Sequence, residues 1–172
     1  MVWRSYSQRT VRSGAATIWT ACVCLALVAF YQDAAAEQYT GRVVGISDAD
    51  SITVLDDQNR QHKIHLLYID APEKRQPYGK RSRQSLADLV FGKEVYVREV
   101  GLDRYGRTIG HVIHEGLNTN TEQVCRGMAW VYDRYVKDRS LYDIQAEARA
   151  TQRGLSANPT PTPPWEWRKT ER

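Results

Sequence analysis

The sequence predicts a mainly-β domain with helices, in which five short strands curl into a small closed barrel carrying about three α-helices. Three observations predict it. Short runs alternate apolar and polar side chains, as half-buried strands do. Clusters of Asp, Asn, Gly and Pro punctuate those runs. The first helical pattern arrives only after the third strand, and the others gather toward the C-terminus. That order fits a Greek-key barrel of the OB type better than alternating βαβ units, with an open α+β sheet as the generic alternative.

Gln38 to Ile46, carrying Tyr39, Val43, Val44 and Ile46, is the first strand. Ser51 to Leu55 is the second, Asp56-Asp57-Gln58-Asn59 the polar turn after it, and Gln61 to Ile69 the third. Pro72 to Pro77 is loop, because proline pushes Ala71 before it out of the helical region. Lys80 to Phe91 reads as a helix with Leu86, Leu89 and Val90 on one face and Gly92 as its stop. Glu94 to Val100 and Arg107 to His114 supply strands four and five. Asn120 is placed as the cap of a second helix, with Gln123 reaching back to it. Leu141 to Arg153 is a third helix, ended by Gly154. Pro159 to Pro164 is extended, and Trp165-Glu166-Trp167 is expected to pack back on the body. No internal repeat is present.

A chain of 172 residues with 42% hydrophobic content and a mean hydropathy of −0.56 supports one globular domain with tails. Its first 36 residues stand apart. Arg4, Arg9 and Arg12 open them, Ala15 to Phe30 is apolar, and Ala34-Ala35-Ala36 offers a small-residue cleavage site before Glu37. That is the layout of a secretory signal, with a short uncleaved anchor as the alternative. The expected organisation is a signal peptide over 1–36, a barrel domain over 37–157 and a Pro/Trp-containing tail over 158–172. The product is then secreted or periplasmic, free of the membrane after cleavage, and monomeric, with no obligate protein partner evident. Removing the segment leaves 21 basic against 19 acidic residues, a net charge of +2, so overall charge argues for no polyanionic partner. Cys22 and Cys24 leave with it, and Cys125, alone, cannot form an internal disulfide.

Chemistry concentrates between Asp48 and Glu73. Asp48-Ala49-Asp50-Ser51 opens one arm of an apolar hairpin, and Ile69-Asp70-Ala71-Pro72-Glu73 closes the other. A turn near 57–58 brings Asp50 and Asp70 together. Carboxylates gathered at one end of a half-buried sheet are costly unless a cation neutralises them. Oxygen donors without paired Cys or His suit a hard ion, calcium or magnesium. Zinc is disfavoured, because His62/His65 and His111/His114 are spaced by three on strands and so point to opposite faces. Asp56 and Asp57 are expected to be solvated turn residues.

Asp-x-Asp-Ser, Ile-Asp-Ala-Pro-Glu and Asp103-Arg104-Tyr105-Gly106-Arg107, in that order, resemble the thermonuclease family of micrococcal-nuclease-like proteins. The likeness spans about Gly41 to Leu155. It implies an OB barrel and a calcium-dependent phosphodiesterase acting on DNA and RNA, magnesium being the weaker candidate. By that resemblance Asp50 and Asp70 hold the metal with the Ala71 carbonyl, and Asp48 sits in the outer shell. Glu73 acts on the attacking water and Arg107 holds the scissile phosphate. Three positions depart from the family pattern: Ala49 for glycine, Ser51 for threonine, and His65 where a second phosphate-binding arginine is expected. Alanine would cost on the order of 1 kcal/mol if that backbone needed positive φ. An unperturbed imidazole is charged in only about a quarter of molecules at pH 7, so His65 is expected to leave a catalytic site of reduced activity. An OB-type module that binds nucleic acid without cutting is the alternative reading. Lys74 and Arg104, with Tyr105, Tyr132 and Tyr135, are the candidate nucleic-acid contacts, through charge or base stacking.

Overall fold

The computed structural model describes residues 37–133 and 136–171, which belong to one compact unit. The proposed signal segment and Tyr135 lie outside the described residues. Strands β1 (Gln38–Asp48), β2 (Ser51–Asp56) and β3 (Gln61–Leu66) form an antiparallel meander. A two-residue strand β4 (Ile69–Asp70) leads by a loop into helix α1 (Gly79–Val90), followed by β5 (Glu94–Leu102) and β6 (Thr108–His114). β1 pairs with β5, β5 with β6, and β6 runs parallel to β3, which closes a five-stranded barrel. β7 (Leu117–Asn118) folds back to pair antiparallel with the end of β6 and feeds α2 (Thr119–Cys125). Then come β8 (Trp130–Val131), α3 (Ser140–Ala150), a 3-10 turn (Gly154–Ala157) and α4 (Pro164–Thr170).

The barrel closes because β1 is long enough to serve two partners. Register shifts between Val43 and Gly45 and between Ile46 and Asp48 bend it, as bulges do, so one end pairs with β5 while the length pairs with β2. Alternation then buries Val43, Ile52, Val54, Ile64, Val95, Val97 and Val112 inside, and Leu86, Leu89 and Val90 of α1 pack against the same core. Among the described residues no helix is long and apolar enough to cross a membrane.

Several expectations change. The third strand breaks at Leu66: Tyr68 takes φ 69°, and Ile69–Asp70 leaves the barrel to pair with Trp130–Val131. The α2 cap is Asn118, whose side chain accepts from the Asn120 and Thr121 amides, whereas Asn120 itself accepts the Val112 amide and donates to Leu67 and Gly110 carbonyls. Gln123 is fully buried and bonds Ser85, Ala49 and Ser82 instead of reaching back to a cap. α3 stops at Ala150, ahead of Gly154. Asp56 is buried, accepting from the Gln58 and Arg60 amides and from the Arg60 guanidinium, with the His62 ring 2.9 Å away; it organises the β2–β3 turn from within. Among the described residues four α-helices are present where about three were expected, the fourth being the Pro164–Thr170 segment.

Candidate functional site

Asp48 and Asp50 sit at the bulged turn from β1 to β2, where Asp48 pairs with Ser51 across the ladder. Ala49 is buried and its φ is not positive, so alanine in place of glycine introduces no backbone strain there. The Asp50 backbone carbonyl accepts the Leu66 amide, and its carboxylate accepts the Ala71 amide at 3.1 Å and the Ser51 hydroxyl at 2.9 Å. Asp50 thus touches the residue beside Asp70, and the hairpin convergence expected from sequence is present. Asp70 itself, on β4, is held down by pairing with Trp130.

Glu73 is presented by the loop before α1. Its amide donates to the buried Gln76 side chain at 3.1 Å, and its carbonyl accepts the Gln76 amide at 2.9 Å. Gly79 packs against that same carbonyl so closely that a Cβ would stand 2.0 Å from the Glu73 oxygen, which only glycine permits. Arg107 ends a tight turn in which Gly106 takes φ +75°. The Asp103 carboxylate accepts the Tyr105 and Arg107 amides and the Arg107 Nε at 2.7 Å, so the turn aims its own guanidinium. Arg107 Nη1 lies 3.4 Å from the Ser51 hydroxyl.

One cleft of about 900 Å³ collects Asp48, Asp50, His65, Asp70, Glu73 and Arg107 with Tyr105, Arg104 and Tyr132. Arg104 and Arg107 stack over the exposed Tyr105 ring, 4.8 and 5.8 Å from its centre. Lys74 is exposed beside Glu73 and is not part of the cleft wall. His65, on β3 opposite Ser51, turns inward: its Nδ1 lies 3.2 Å from Ser51 Oγ and 3.5 Å from Asp50 Oδ1. The other histidines serve local structure, His62 beside Asp56, His111 beside Asn118, and His114 against the Glu94 carbonyl.

The cleft gathers carboxylates on one wall, Asp48, Asp50, Asp70 and Glu73, against cationic groups that include Arg104, Arg107, Lys137 and Arg168. Burial raises the Asp48 carboxyl above its ordinary value, and the charges of Asp50 and Glu73 add to that. Asp48 Oδ1 is buried without a hydrogen-bond partner among the described residues. Burial alone would raise Asp50 too, but His65, the Ala71 amide and the Ser51 hydroxyl outweigh it and hold the carboxyl low. Burial pulls His65 down, yet its hydrogen bond to Asp50 and that residue's charge leave the imidazole above its ordinary value. Asp70 is raised by burial even though a guanidinium sits on it, with Asp50 and Glu73 adding like charge.

That guanidinium belongs to Arg168, which sequence reasoning did not find. It donates to Glu73 at 2.8 Å and to both Asp70 oxygens at 3.2 and 2.5 Å. The Trp165-Glu166-Trp167 block before it signals packing, and nothing in its spacing points toward Asp70, 98 residues upstream.

An orphaned buried carboxylate oxygen on Asp48, with the Asp50 and Asp70 carboxylates in the same cleft adding like charge to one another, fits a hard divalent cation. Among the described residues no group of three or more His, Cys, Asp or Glu is set to hold a metal. The donors that line the cleft beside Asp48 are carboxylate oxygens, the type a hard cation such as calcium or magnesium takes.

Comparison with known proteins places the chain among nuclease-like sequences. The family model for staphylococcal nuclease homologues matches residues 63–158, beginning downstream of Asp48 and Asp50 and ending before Arg168. A Haemophilus influenzae protein named as an uncharacterized endonuclease is 43% identical over 136 residues, covering 79% of this chain and 76% of its own. A Shigella flexneri protein named micrococcal nuclease is 41% identical over 163 residues, 87% of this chain and 92% of its own. An Escherichia coli protein, also named an uncharacterized endonuclease, is 46% identical over 129 residues, covering 74% and 84%.

Proposed function

The chain belongs to the staphylococcal nuclease homologue family, and from that premise we propose that it is an exported, calcium-dependent nuclease. It hydrolyses phosphodiesters of DNA and RNA with low sequence specificity. The observation that carries the reading is the shared hollow of Asp50, Asp70 and Glu73 with Arg107 at its wall.

A divalent ion held by Asp50, Asp70 and the Ala71 carbonyl would neutralise charge gathering on the phosphate oxygens. The chain's own groups do the rest. Glu73, partly open to the cleft, accepts the proton of the attacking water. The water oxygen bonds to phosphorus, the ester P–O bond breaks, and the leaving oxygen takes a proton from solvent. Arg107 is oriented by Asp103 through Nε, which leaves its terminal nitrogens to the phosphate. Tyr105, exposed and flanked by two arginines, offers a stacking face to a base, and Tyr132 lines the same cleft.

His65 supports the notion of a reduced rate. Imidazole cannot make a bidentate phosphate contact, and here its ring is turned to Asp50 and Ser51. Loss of one preorganised donor typically costs about 10²–10³ in rate. The same observation favours the second reading, a module that binds nucleic acid without cutting. Incubating the purified chain with end-labelled DNA and RNA, with calcium or with chelator, separates the two. Products that need calcium and vanish in Glu73→Gln support the nuclease. Binding without products, unrestored by His65→Arg, would leave the module.

A further inference from the structure

We propose that Arg168 is a second substrate-binding residue of this site, a guanidinium carried into the cleft by the C-terminal helix to grip the scissile phosphate alongside Arg107. This rests on the nuclease reading. Arg168 is placed by a built strap. The buried Gln76 side chain donates to the Thr162 carbonyl at 2.6 Å while accepting the Glu73 amide. One side chain thereby ties the segment leading into α4 to the loop that presents Glu73. Pro164 is buried, and the Trp165 ring lies 6.0 Å from that of Tyr132. The fork that results touches the proposed base and a proposed metal ligand together.

Geometry then brings it to the substrate. A water activated by Glu73 lies about 3 Å from that carboxylate and about 3–3.5 Å from the phosphorus it attacks. A guanidinium 2.8 Å from Glu73 is therefore within one side-chain rotation of the phosphate oxygens. Arginine carries five N–H groups against the three hydrogen bonds made here, and the Arg168 side chain is 44% exposed on the cleft, so donors remain for an anion. A planar, permanently charged fork matches a phosphate better than an imidazole does. A plain structural clamp would need no opening to the cleft, and Arg168 has one.

The test compares the full chain with Arg168→Ala and Arg168→Lys, each checked by thermal melting, with calcium present throughout. Binding is read with a dithymidine carrying one phosphorothioate linkage and with its uncharged methylphosphonate counterpart. Arg168→Ala is expected to weaken the charged dinucleotide about tenfold or more and to leave the neutral one unchanged. On DNA, kcat/KM is expected to fall about 10²–10³-fold for alanine and less for lysine, which keeps charge but loses the fork. Equal losses for both dinucleotides would make Arg168 a structural clamp and overturn the inference. Faster cleavage by Arg168→Ala would make it a latch over the acidic hollow, with the same consequence. Wild-type cutting with an unaffected variant sinks this inference alone, whereas a wild-type chain that never cuts sinks the nuclease reading as well.

Discussion

Gln123→Leu is the most informative perturbation of the scaffold beneath the cleft. Gln123 is fully buried, accepts the Ser85 hydroxyl at 2.7 Å, and donates to the Ala49 and Ser82 carbonyls at 3.2 Å each. It fastens α2 to α1 and both to the turn that carries Asp48 and Asp50. Leucine nearly conserves the volume, so cavity formation adds little. Three neutral hydrogen bonds disappear at roughly 1 kcal/mol each, and buried partners left unsatisfied raise the cost toward about 3–4 kcal/mol. For a domain of this size that lowers Tm by roughly 10–15 °C. Urea unfolding followed by tryptophan fluorescence should show a lower midpoint with unchanged slope. Gln84→Leu, on the exposed face of α1, is the control and should shift stability by less than about 0.5 kcal/mol. A Gln123→Leu loss below about 1 kcal/mol would refute the idea that this side chain holds the three elements together.

Three further outcomes are expected. Calcium at about a hundred times its Kd should add roughly 2.7 kcal/mol to unfolding of the wild type and nothing to Asp50→Asn; a calorimetric Tm blind to calcium would remove the metal. Gly79→Ala pushes a Cβ into the Glu73 carbonyl, and a shift of that loop by about 1 Å should lower kcat about 10²-fold while the circular dichroism spectrum stays native. Asp56 is held below the ordinary carboxylate value by its hydrogen bond to His62 and by Arg60, against burial. A depressed carboxyl stabilises fully above its unfolded value near 4 and loses that contribution progressively as pH falls from there toward the lower value it has in the folded state. Melting between pH 7 and pH 3 should therefore drop more steeply for the wild type below about pH 4 than for Asp56→Asn, and parallel curves would exclude Asp56 as the source.

Much of the barrel was legible because strand signals are local. Val43, Ile52, Val54, Val95 and Val97 alternate with polar neighbours, and that pattern needs no knowledge of the partner strand. The acidic hairpin was legible only in part: strand pairing sets Ser51 opposite His65, and it is the turn at Tyr68 and the Ala71 amide on Asp50 that bring residues 50 and 70 to one cleft. Asp56 was misread as solvated because a turn carboxylate and a buried one share the same local signature, and only the inward-reaching amides tell them apart. Gln123 matched a capping pattern by spacing, but packing against Ala49 and Ser82 claimed its amide.

Sequence by itself determined the order of strands and helices, the register that sets apolar side chains inward, and the placing of the two acidic motifs at the open end of one hairpin. These follow from contacts between near neighbours, where periodicity is the physics. Tertiary structure alone decided that Ile69–Asp70 would leave the third strand for Trp130–Val131, that His65 would face Asp50, and that Arg168 would arrive from 98 residues away to sit on the same carboxylate. Contacts of that kind depend on how whole elements pack and on where buried negative charge finds a counterion, and neither is written in the spacing of residues along the chain.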